Sequence, residues 1–475
     1  MGQGLRLGIQ LIGIVALSRL LGPDAVGIVA MVLAVIAIAA VVGDLGLSLA
    51  AIQARELTDA QKTNLHWVNT SLGVIVASVV AGCAPAVGAF YGAPETVPIT
   101  VWLATVFALN GIAVQFRVEL IRNSRFRTLA AVDVAGPACG LAVGLFAAVT
   151  GASYWALVAQ QIVGAAVAMA LAVLLARWRP GMPRRGVEIK GLLRFGAFAF
   201  LAQALTALSV NLTTVFVGQS GGNAPAGAYS RAHQLATMPS SQIAAPLTRV
   251  VMPKLAAEAA NPGAFLEATV RVQRTLMYGI GAPLSLLAGA APSVTLLALG
   301  DQWDASIPLV RILTLAAALN LIGYIFYWLH LATSRTGQLL AIEATSRVVM
   351  IGLIIFAARF GAESVAWSAV AGAAILLSSY WIFALPKLGL RFGAMAIATV
   401  PPLLCYSLAT VVAWATEWLV RSHTSSPALG LAIATVGWLV AAAGAAVMVP
   451  AVRRDARRAF DEVKRLARRN SAPLS

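Results

Sequence analysis

Charge is what this sequence has least of. Asp, Glu, Lys and Arg make up 11% of its 475 residues, while 60% are hydrophobic, a balance outside the range of soluble globular domains. The chain therefore reads as an integral membrane protein. Cysteine is scarce too: Cys83, Cys139 and Cys405 all fall in apolar runs, with no pairing pattern and no histidine at metal spacing. That excludes a disulfide framework and a Cys/His metal centre, and leaves three small apolar side chains expected to be buried. Long polar stretches are also missing, which excludes an enzyme with a folded extramembrane catalytic domain. There is no GxxxxGK[ST] loop to hold ATP phosphates, so the chain is not itself an ATP-driven pump. A membrane glycosyltransferase would carry an acidic metal motif in a cytoplasmic loop and a polysaccharide polymerase a large polar outer loop, and neither pattern occurs.

What remains is a succession of apolar segments. At about 20 residues per helical span they number about 14, joined by short connectors. The 34 lysines and arginines concentrate in alternate connectors, for instance Arg117, Arg122, Arg125 and Arg127, then Arg177, Arg179, Arg184, Arg185, Lys190 and Arg194. The intervening connectors Phe90 to Pro98, Thr150 to Trp155 and Leu299 to Ser306 have none. Because cytoplasmic connectors collect positive charge, both termini are expected on the cytoplasmic side. The net charge of +16 is then topology and attraction to anionic lipid rather than nucleic-acid binding. The opening run, Met1 to Asp24, is taken as the first span and not as a cleaved signal, since it takes part in the repeat described next. Val452, Ala456, Phe460 and Val463 share one helical face of the basic tail, a pattern for a helix lying on the cytoplasmic leaflet.

The chain repeats itself. "FALNGIAVQF" (Phe107 to Phe116) and "AALNLIGYIF" (Ala317 to Phe326) align at an offset of 210, Asn110 on Asn320. The same offset pairs Pro98 with Pro308, Gly151 with Gly361, and "LAAVD" (Leu129 to Asp133) with "LLAIE" (Leu339 to Glu343). Upstream the offset is 200, and "GPDAVG" (Gly22 to Gly27) lies over "GNAPAG" (Gly222 to Gly227). Span four maps onto span ten, an even shift, so the halves point the same way. The expected fold is an all-α polytopic membrane protein with two parallel six-helix lobes related by a pseudo-two-fold axis, plus two C-terminal helices. The boundaries are 1–178 for the first lobe, 179–194 for a basic cytoplasmic linker, 195–385 for the second lobe, 386–450 for the last two spans and 451–475 for the basic tail.

Ionisable groups cost about 2.5 to 3.5 kcal/mol at a helix centre in lipid, so each needs a partner, an aqueous cavity or an interface. Span eight carries the clearest pattern. Arg231, Gln234, Met238, Ser241, Ala245 and Thr248 recur every three or four residues and share a face, extended by Arg249. Span one adds Arg6 and Gln10, and span seven Gln203 and Asn211. If one and seven, and two and eight, are equivalent, a cavity lined by them is polar and net positive and suits an anionic substrate. Arg231, Arg249 and Arg6 are the candidates for the anionic group; Gln10, Gln203, Asn211, Gln234 and Ser241 are candidates for neutral polar groups. Asn110 and Asn320 are read as interhelical hydrogen-bonders, and Asp133 and Glu343 as helix-end electrostatics.

"SRLLGPDAVGIVAMV" (Ser18 to Val32), "GDLGLSLAAIQ" (Gly43 to Gln53), "FYGAPETVP", "YWALVAQQ" (Tyr154 to Gln161), "GAYSRAHQLATMP" (Gly227 to Pro239) and "WDASIPLVRIL" (Trp303 to Leu313), in this order, resemble the Wzx/WzxC-type polysaccharide exporters. Those belong to the multidrug/oligosaccharidyl-lipid/polysaccharide exporter superfamily. The resemblance implies a flippase, not an enzyme, in the bacterial cytoplasmic membrane. Its substrate would be an undecaprenyl-pyrophosphate-linked oligosaccharide, moved from inner to outer leaflet. It implies alternating access, no cofactor, a membrane potential or ion gradient as driving force, a monomer among membrane lipids, and a polymerase and glycosyltransferases of the same pathway as partners. Multidrug efflux on the same fold, or a non-transporting membrane scaffold, are the rival readings. One departure stands out: relatives often have an acid in span seven where "NLTTVFVG" (Asn211 to Gly218) has Thr213, so no coupling carboxylate carries over to that position.

Overall fold

A computed structural model describes residues 2–44, 51, 57–184, 190–424, 426–455 and 457, with side chains at all of these except 2–3, 42–44, 190–203, 243–246 and 249. Most of the expected amphipathic tail, including Ala456, Phe460 and Val463, lies outside the described residues. Among those described the chain is α-helical and has no strand. The helices are α1 (Gly2–Leu20), α2 (Pro23–Asp44), α3 (Asp59–Gly82), α4 (Ala84–Tyr91), α5 (Thr96–Arg122), α6 (Phe126–Val149), α7 (Trp155–Leu175) and α8 (Lys190–Gly221). They continue with α9 (Asn223–Glu258), α10 (Pro262–Gly289), α11 (Ala291–Leu299), α12 (Ser306–Ala332), α13 (Thr336–Ala357), α14 (Ala362–Ser379), α15 (Phe392–Arg421) and α16 (Pro427–Met448).

Among the described residues, 10 helices are long and apolar enough to cross a membrane, or 11 if the bent pair α10 and α11 is one span. About 14 were expected. Three further long helices stand outside that number: α9, interrupted by Arg231, His233 and Gln234, is the least apolar of the long helices, while α1, with Arg6 and Gln10, and α8, with Asn211 and its threonines, are no more polar in composition than α3. The candidate side chains sit on these three helices.

Backbone geometry follows the sequence repeat. Helices α5 and α12 are each 27 residues long and start 210 positions apart, at Thr96 and Ser306. The turns that follow each hold a serine in the left-handed region, Ser124 at φ 54° and Ser334 at φ 57°, again 210 positions apart. Gly151 at φ 86° and Gly361 at φ 91° close the next helix in each half. Left-handed backbone at matched positions is a stronger sign of a duplicated fold than matched hydrophobicity, because few residues adopt it without cost. The two acids of the repeat are engaged by different partners. Asp133 pairs with Arg117 at 2.5 Å, and Glu343 accepts a hydrogen bond from the Tyr380 hydroxyl at 3.2 Å.

The chain divides into two compact units. One comprises Met1–Arg231, Ala298–Ala305 and Arg347–Ser368; the other comprises Ala232–Leu297, Ser306–Ser346 and Ala369–Ser475. Within the first, α6 and α7 pack backbone to backbone through Gly136, Gly140 and Gly164, where a Cβ would press on facing main-chain atoms. Within the second, a core forms around Phe326, Trp328 and Leu329 of α12 with Leu276, Ile280 and Leu284 of α10. The start of the tail docks here as well: Asp455 pairs with Arg274 at 3.0 Å and accepts from the Tyr278 hydroxyl at 3.3 Å. Of the three cysteines only Cys405 is buried; Cys83, at the break between α3 and α4, and Cys139 are exposed, on helices whose outward faces are apolar.

The last two helices brace a bend. Between α10 and α11 the chain turns by 86° at Ala290, leaving the first amides of α11 without helical acceptors. Glu417 of α15, only 1% exposed, accepts from the Ser293 amide at 2.6 Å. Trp438 of α16 donates to Ser285 Oγ at 2.8 Å, and Ala290, Ala413 and Ala434 pack as a fully buried cluster of small residues. A negative side chain at a helix N-terminus opposes the partial positive charge there and satisfies an orphan donor at once. Replacing Glu417 by Ala strands that buried amide and is expected to destabilise the protein by about 2 kcal/mol. The melting temperature in detergent should fall accordingly, while Glu417→Gln, which keeps an acceptor, loses less than half as much.

Candidate functional site

Helix α9 has 36 residues, about 54 Å at 1.5 Å per residue, against a hydrocarbon core of about 30 Å. Its first turns are fixed by a contact without side chains. A Cβ at Gly27 of α2 would collide with the Asn223 carbonyl oxygen, and a Cβ at Gly227 of α9 would collide with the Pro23 carbonyl oxygen. The contact is reciprocal: Pro23 and Asn223, like Gly27 and Gly227, are equivalents at the 200-residue offset. The contact thus joins the two copies of one repeated motif. Beside it Gly218 of α8 lies against Met31, and Tyr91 donates to the Met31 carbonyl at 3.2 Å.

Arg231 follows one turn below Gly227. It is 6% exposed, between the buried residues Tyr229 and Ala232, so it sits inside the protein and not at a surface where its head could reach lipid phosphates. Thr213 of α8, the residue at the place of the family's acid, is buried and donates to the Val210 carbonyl at 2.7 Å. Farther down, Gln234 is half-buried, Ser241 is exposed and donates to the Met238 carbonyl at 3.2 Å, and Thr248 accepts from Trp328 Nε1 at 2.9 Å. Thr248 is thus part of the packing between α9 and α12. Asn211 of α8 is half-buried, its amide donating to the Ala207 carbonyl at 2.8 Å. On α1, Arg6 and Gln10 are exposed. The side chains of Arg249 and Gln203 lie outside the described residues. Arg6, Gln10, Asn211 and Arg231 fall in the first compact unit, Gln234 and Ser241 in the second.

Helix α1 is held at its far end by a turn from a distant part of the chain. Trp303, fully buried, donates to the Ser18 carbonyl at 2.9 Å, and Gln302 donates to the same carbonyl at 3.0 Å. The orphan acceptors of the last helical turn are satisfied in this way, which gives the motif around Trp303 a structural reason.

Three features escaped the sequence reading. Pro239, Pro246 and Pro253 recur every seven residues in α9, so the carbonyls of Leu235, Gln242 and Arg249 lose their helical donors. Those residues lie on the stripe that starts at Arg231, at 4, 11 and 18 positions beyond it. In a membrane, freed carbonyls need protein or water for partners. Asn110 of α5 and Asn320 of α12, expected to bond between helices, are both exposed at the fifteenth position of their helices. Finally, His66, Asn69, Gln115 and Glu119 form a buried polar seam between α3 and α5, with Glu119 held by Lys62 at 3.2 Å and by Asn123 at 2.8 Å. The proline spacing and the paired asparagines were visible signals; the seam needed the packing.

Residues 16–308 match the family model described as "Polysaccharide biosynthesis protein". The chain belongs to that family. It is 24% identical over 324 residues to the lipopolysaccharide biosynthesis protein WzxC of Escherichia coli K12, covering 67% of this chain and 65% of that one. It is also 24% identical over 289 residues to the teichuronic acid biosynthesis protein TuaB of Bacillus subtilis 168, covering 60% and 59%. The aligned part thus spans somewhat under two thirds of those relatives. In fold the chain is similar to the lipid II flippase MurJ in an inward closed conformation, with a TM-score of 0.72 at 10% identity over 93% of this chain and 96% of that one. A multidrug resistance MATE family transporter of the MOP superfamily, inward-facing, gives 0.63 at 16% identity over 82% and 94%. These similarities agree with the motif resemblance and extend the fold beyond the family match.

The crossing of α2 and α9 yields a direct expectation. Gly27→Ala or Gly227→Ala must push two backbones apart, an overpacking cost of about 1 to 3 kcal/mol or more. Each should lower the yield of monodisperse protein and its melting temperature, whereas Gly82→Ala, with open space around its Cα, should change neither.

Proposed function

We propose that this protein flips a polyprenyl-pyrophosphate-linked oligosaccharide, an undecaprenyl-linked repeat unit, from the inner to the outer leaflet of the bacterial cytoplasmic membrane, for polysaccharide biosynthesis. One observation carries the reading: Arg231 is buried inside the protein on α9, a long helix that Arg231, His233 and Gln234 make the least apolar of all the long helices. Polar helices inside a membrane protein face protein or water. Family membership, and relatives named for lipopolysaccharide and teichuronic acid biosynthesis, support a glycan as the cargo.

In this proposal all fourteen long helices cross the membrane, with 1–178 and 195–385 acting as lobes of an alternating-access transporter and both termini cytoplasmic. The matched turns and helix starts of the two halves support the repeat on which it rests. The pyrophosphate first meets Arg6, exposed near the start of α1, and Arg249. It reaches Arg231 when the crossing of α2 and α9 opens, since Arg231 is buried just below it. A guanidinium fork binds phosphate oxygens bidentately, which suits this handover. Sugar hydroxyls meet Gln10, Gln203, Asn211, Gln234 and Ser241, with Asn110 and Asn320 as further polar contacts, while the polyprenyl tail stays in lipid. An inside-negative potential favours outward movement of each negative charge by about 2.3 kcal/mol per 100 mV, so a dianionic head gains about 4 to 5 kcal/mol. No cofactor is required; the membrane potential or an ion gradient supplies the drive, and a monomer suffices.

Drug efflux shares the MATE-like fold, but arginines on the polar helices suit an anion better than the usual cationic drugs. Reconstitution in liposomes holding a labelled polyprenyl-pyrophosphate oligosaccharide tests the proposal. Wild-type protein should move label to the opposite leaflet, and Arg231→Ala should slow this about 10- to 100-fold, the scale of losing a charged hydrogen-bond partner. Unimpaired flipping in the variant removes Arg231 from the pathway, and absence of flipping for several such lipids contradicts the function.

A further inference from the structure

The basic connector after α7 is pinned to α3. Trp67 Nε1 donates to the Gly181 carbonyl at 2.9 Å, and the Gly181 amide donates to Thr63 Oγ1 at 3.4 Å. Asn64 exchanges two hydrogen bonds with Arg184: its amide donates to the Arg184 carbonyl at 2.8 Å and its oxygen accepts from the Arg184 amide at 2.9 Å. Trp178 packs edge-on against His66 of α3 and Phe116 of α5. Residues 178–184 thus form a strap across the first turns of α3.

Alongside the strap lies a groove of about 450 Å³, lined by Trp67, Val68, Ser71, Leu72, Ile75 and Pro183. Its helical residues recur every three or four positions and so form one face of α3. From Asn64, at the strap, to Ile75 is about 16 Å of helix, the depth of one leaflet of a core about 30 Å thick. The strap end carries positive charge: Arg177, Arg179 and Arg184 are all exposed. The nearby acids are spoken for, since Lys62 stands 3.3 Å from Asp59 and 3.2 Å from Glu119, and Glu119 is buried. Exposed Met182, beside Pro183, adds an apolar tip to the strap.

We infer that the groove and strap form a binding site for an anionic glycerophospholipid. One acyl chain lies along Val68 to Ile75, and the phosphate meets the guanidinium groups of Arg179 and Arg184. The depth decides the occupant: a groove one leaflet deep fits a fatty-acyl chain, whereas a polyprenyl chain of many isoprene units is far longer. Charge complementarity supplies the rest, because basic residues beside a membrane helix attract anionic headgroups, and Trp67 at the level of the strap suits an interfacial position. The strap belongs to the connector between the two repeats, so a bound lipid would join that connector to α3. This inference stands apart from the flipping proposal, and either can fail alone.

The test is native mass spectrometry of the full chain released from detergent after incubation with phosphatidylglycerol, phosphatidylcholine or undecaprenyl phosphate. Wild-type protein should retain phosphatidylglycerol over phosphatidylcholine. Arg179→Gln and Arg184→Gln should each reduce that retention about fivefold, the effect of one basic residue near an anionic surface. Ser71→Trp, which fills the groove without touching the strap's charge, should reduce it several-fold as well. Equal retention by wild type and the double glutamine variant overturns the inference. So does unchanged retention in a monodisperse Ser71→Trp protein, which would reduce the effect to surface charge, or preferential retention of undecaprenyl phosphate, which would make the groove a substrate site. Both arginines are exposed, so the glutamine variants remain decisive even where Ser71→Trp does not fold.

Discussion

The backbones of α2 and α9 meet at Gly27 and Gly227 with no side chain between them, and the placement of the polar helices follows from that approach. Because each glycine faces the carbonyl of the residue that opens the other helix, the contact fixes both helices together at one point. Arg231 lies one turn below Gly227 and is buried. Packing at van der Waals distance between main chains is a strong adhesive in lipid, where no hydrophobic force drives helices together.

The distribution of polarity is the second constraint. Ten helices satisfy the bilayer by composition alone, and their outward faces carry Leu, Val, Ile and Trp. Helix α9 does not, and polar side chains on it and on α8 find partners by different means. Asn211, Thr213 and Ser241 bond to carbonyls of their own helices, and Thr248 is taken up by Trp328. The prolines of α9 raise the cost by freeing carbonyls along the Arg231 stripe, which favours a wet or protein-lined surroundings over lipid.

Much of the fold was legible in the sequence because its determinants are periodic and local. Hydrophobic runs located the apolar helices, and the 210-residue offset anticipated the helix starts at Thr96 and Ser306 and the left-handed turns at Gly151 and Gly361. What was not legible depends on partners far away in the chain. Nothing near Glu417 marks it as the cap of a helix that begins at Ala291, and nothing near Trp303 marks it as the cap of α1. For the candidate site, the stripe on α9 was readable from spacing. The burial of Arg231 and the exposure of Asn110 and Asn320 were not, because exposure is decided by neighbouring helices.

The account rests on the polar helices facing water inside the membrane, and thiol accessibility measures that most directly. In a background with Cys83, Cys139 and Cys405 replaced by serine, single cysteines at Gln10, Ser241 and Leu404 would be exposed to a charged, membrane-impermeant maleimide, and the labelling rates compared. All three positions are exposed in the structure, but only a thiol in water ionises and reacts quickly. The account predicts fast labelling at Gln10→Cys and Ser241→Cys and almost none at Leu404→Cys, which faces lipid on the apolar helix α15. Labelling at positions 10 and 241 as slow as at 404 would contradict it.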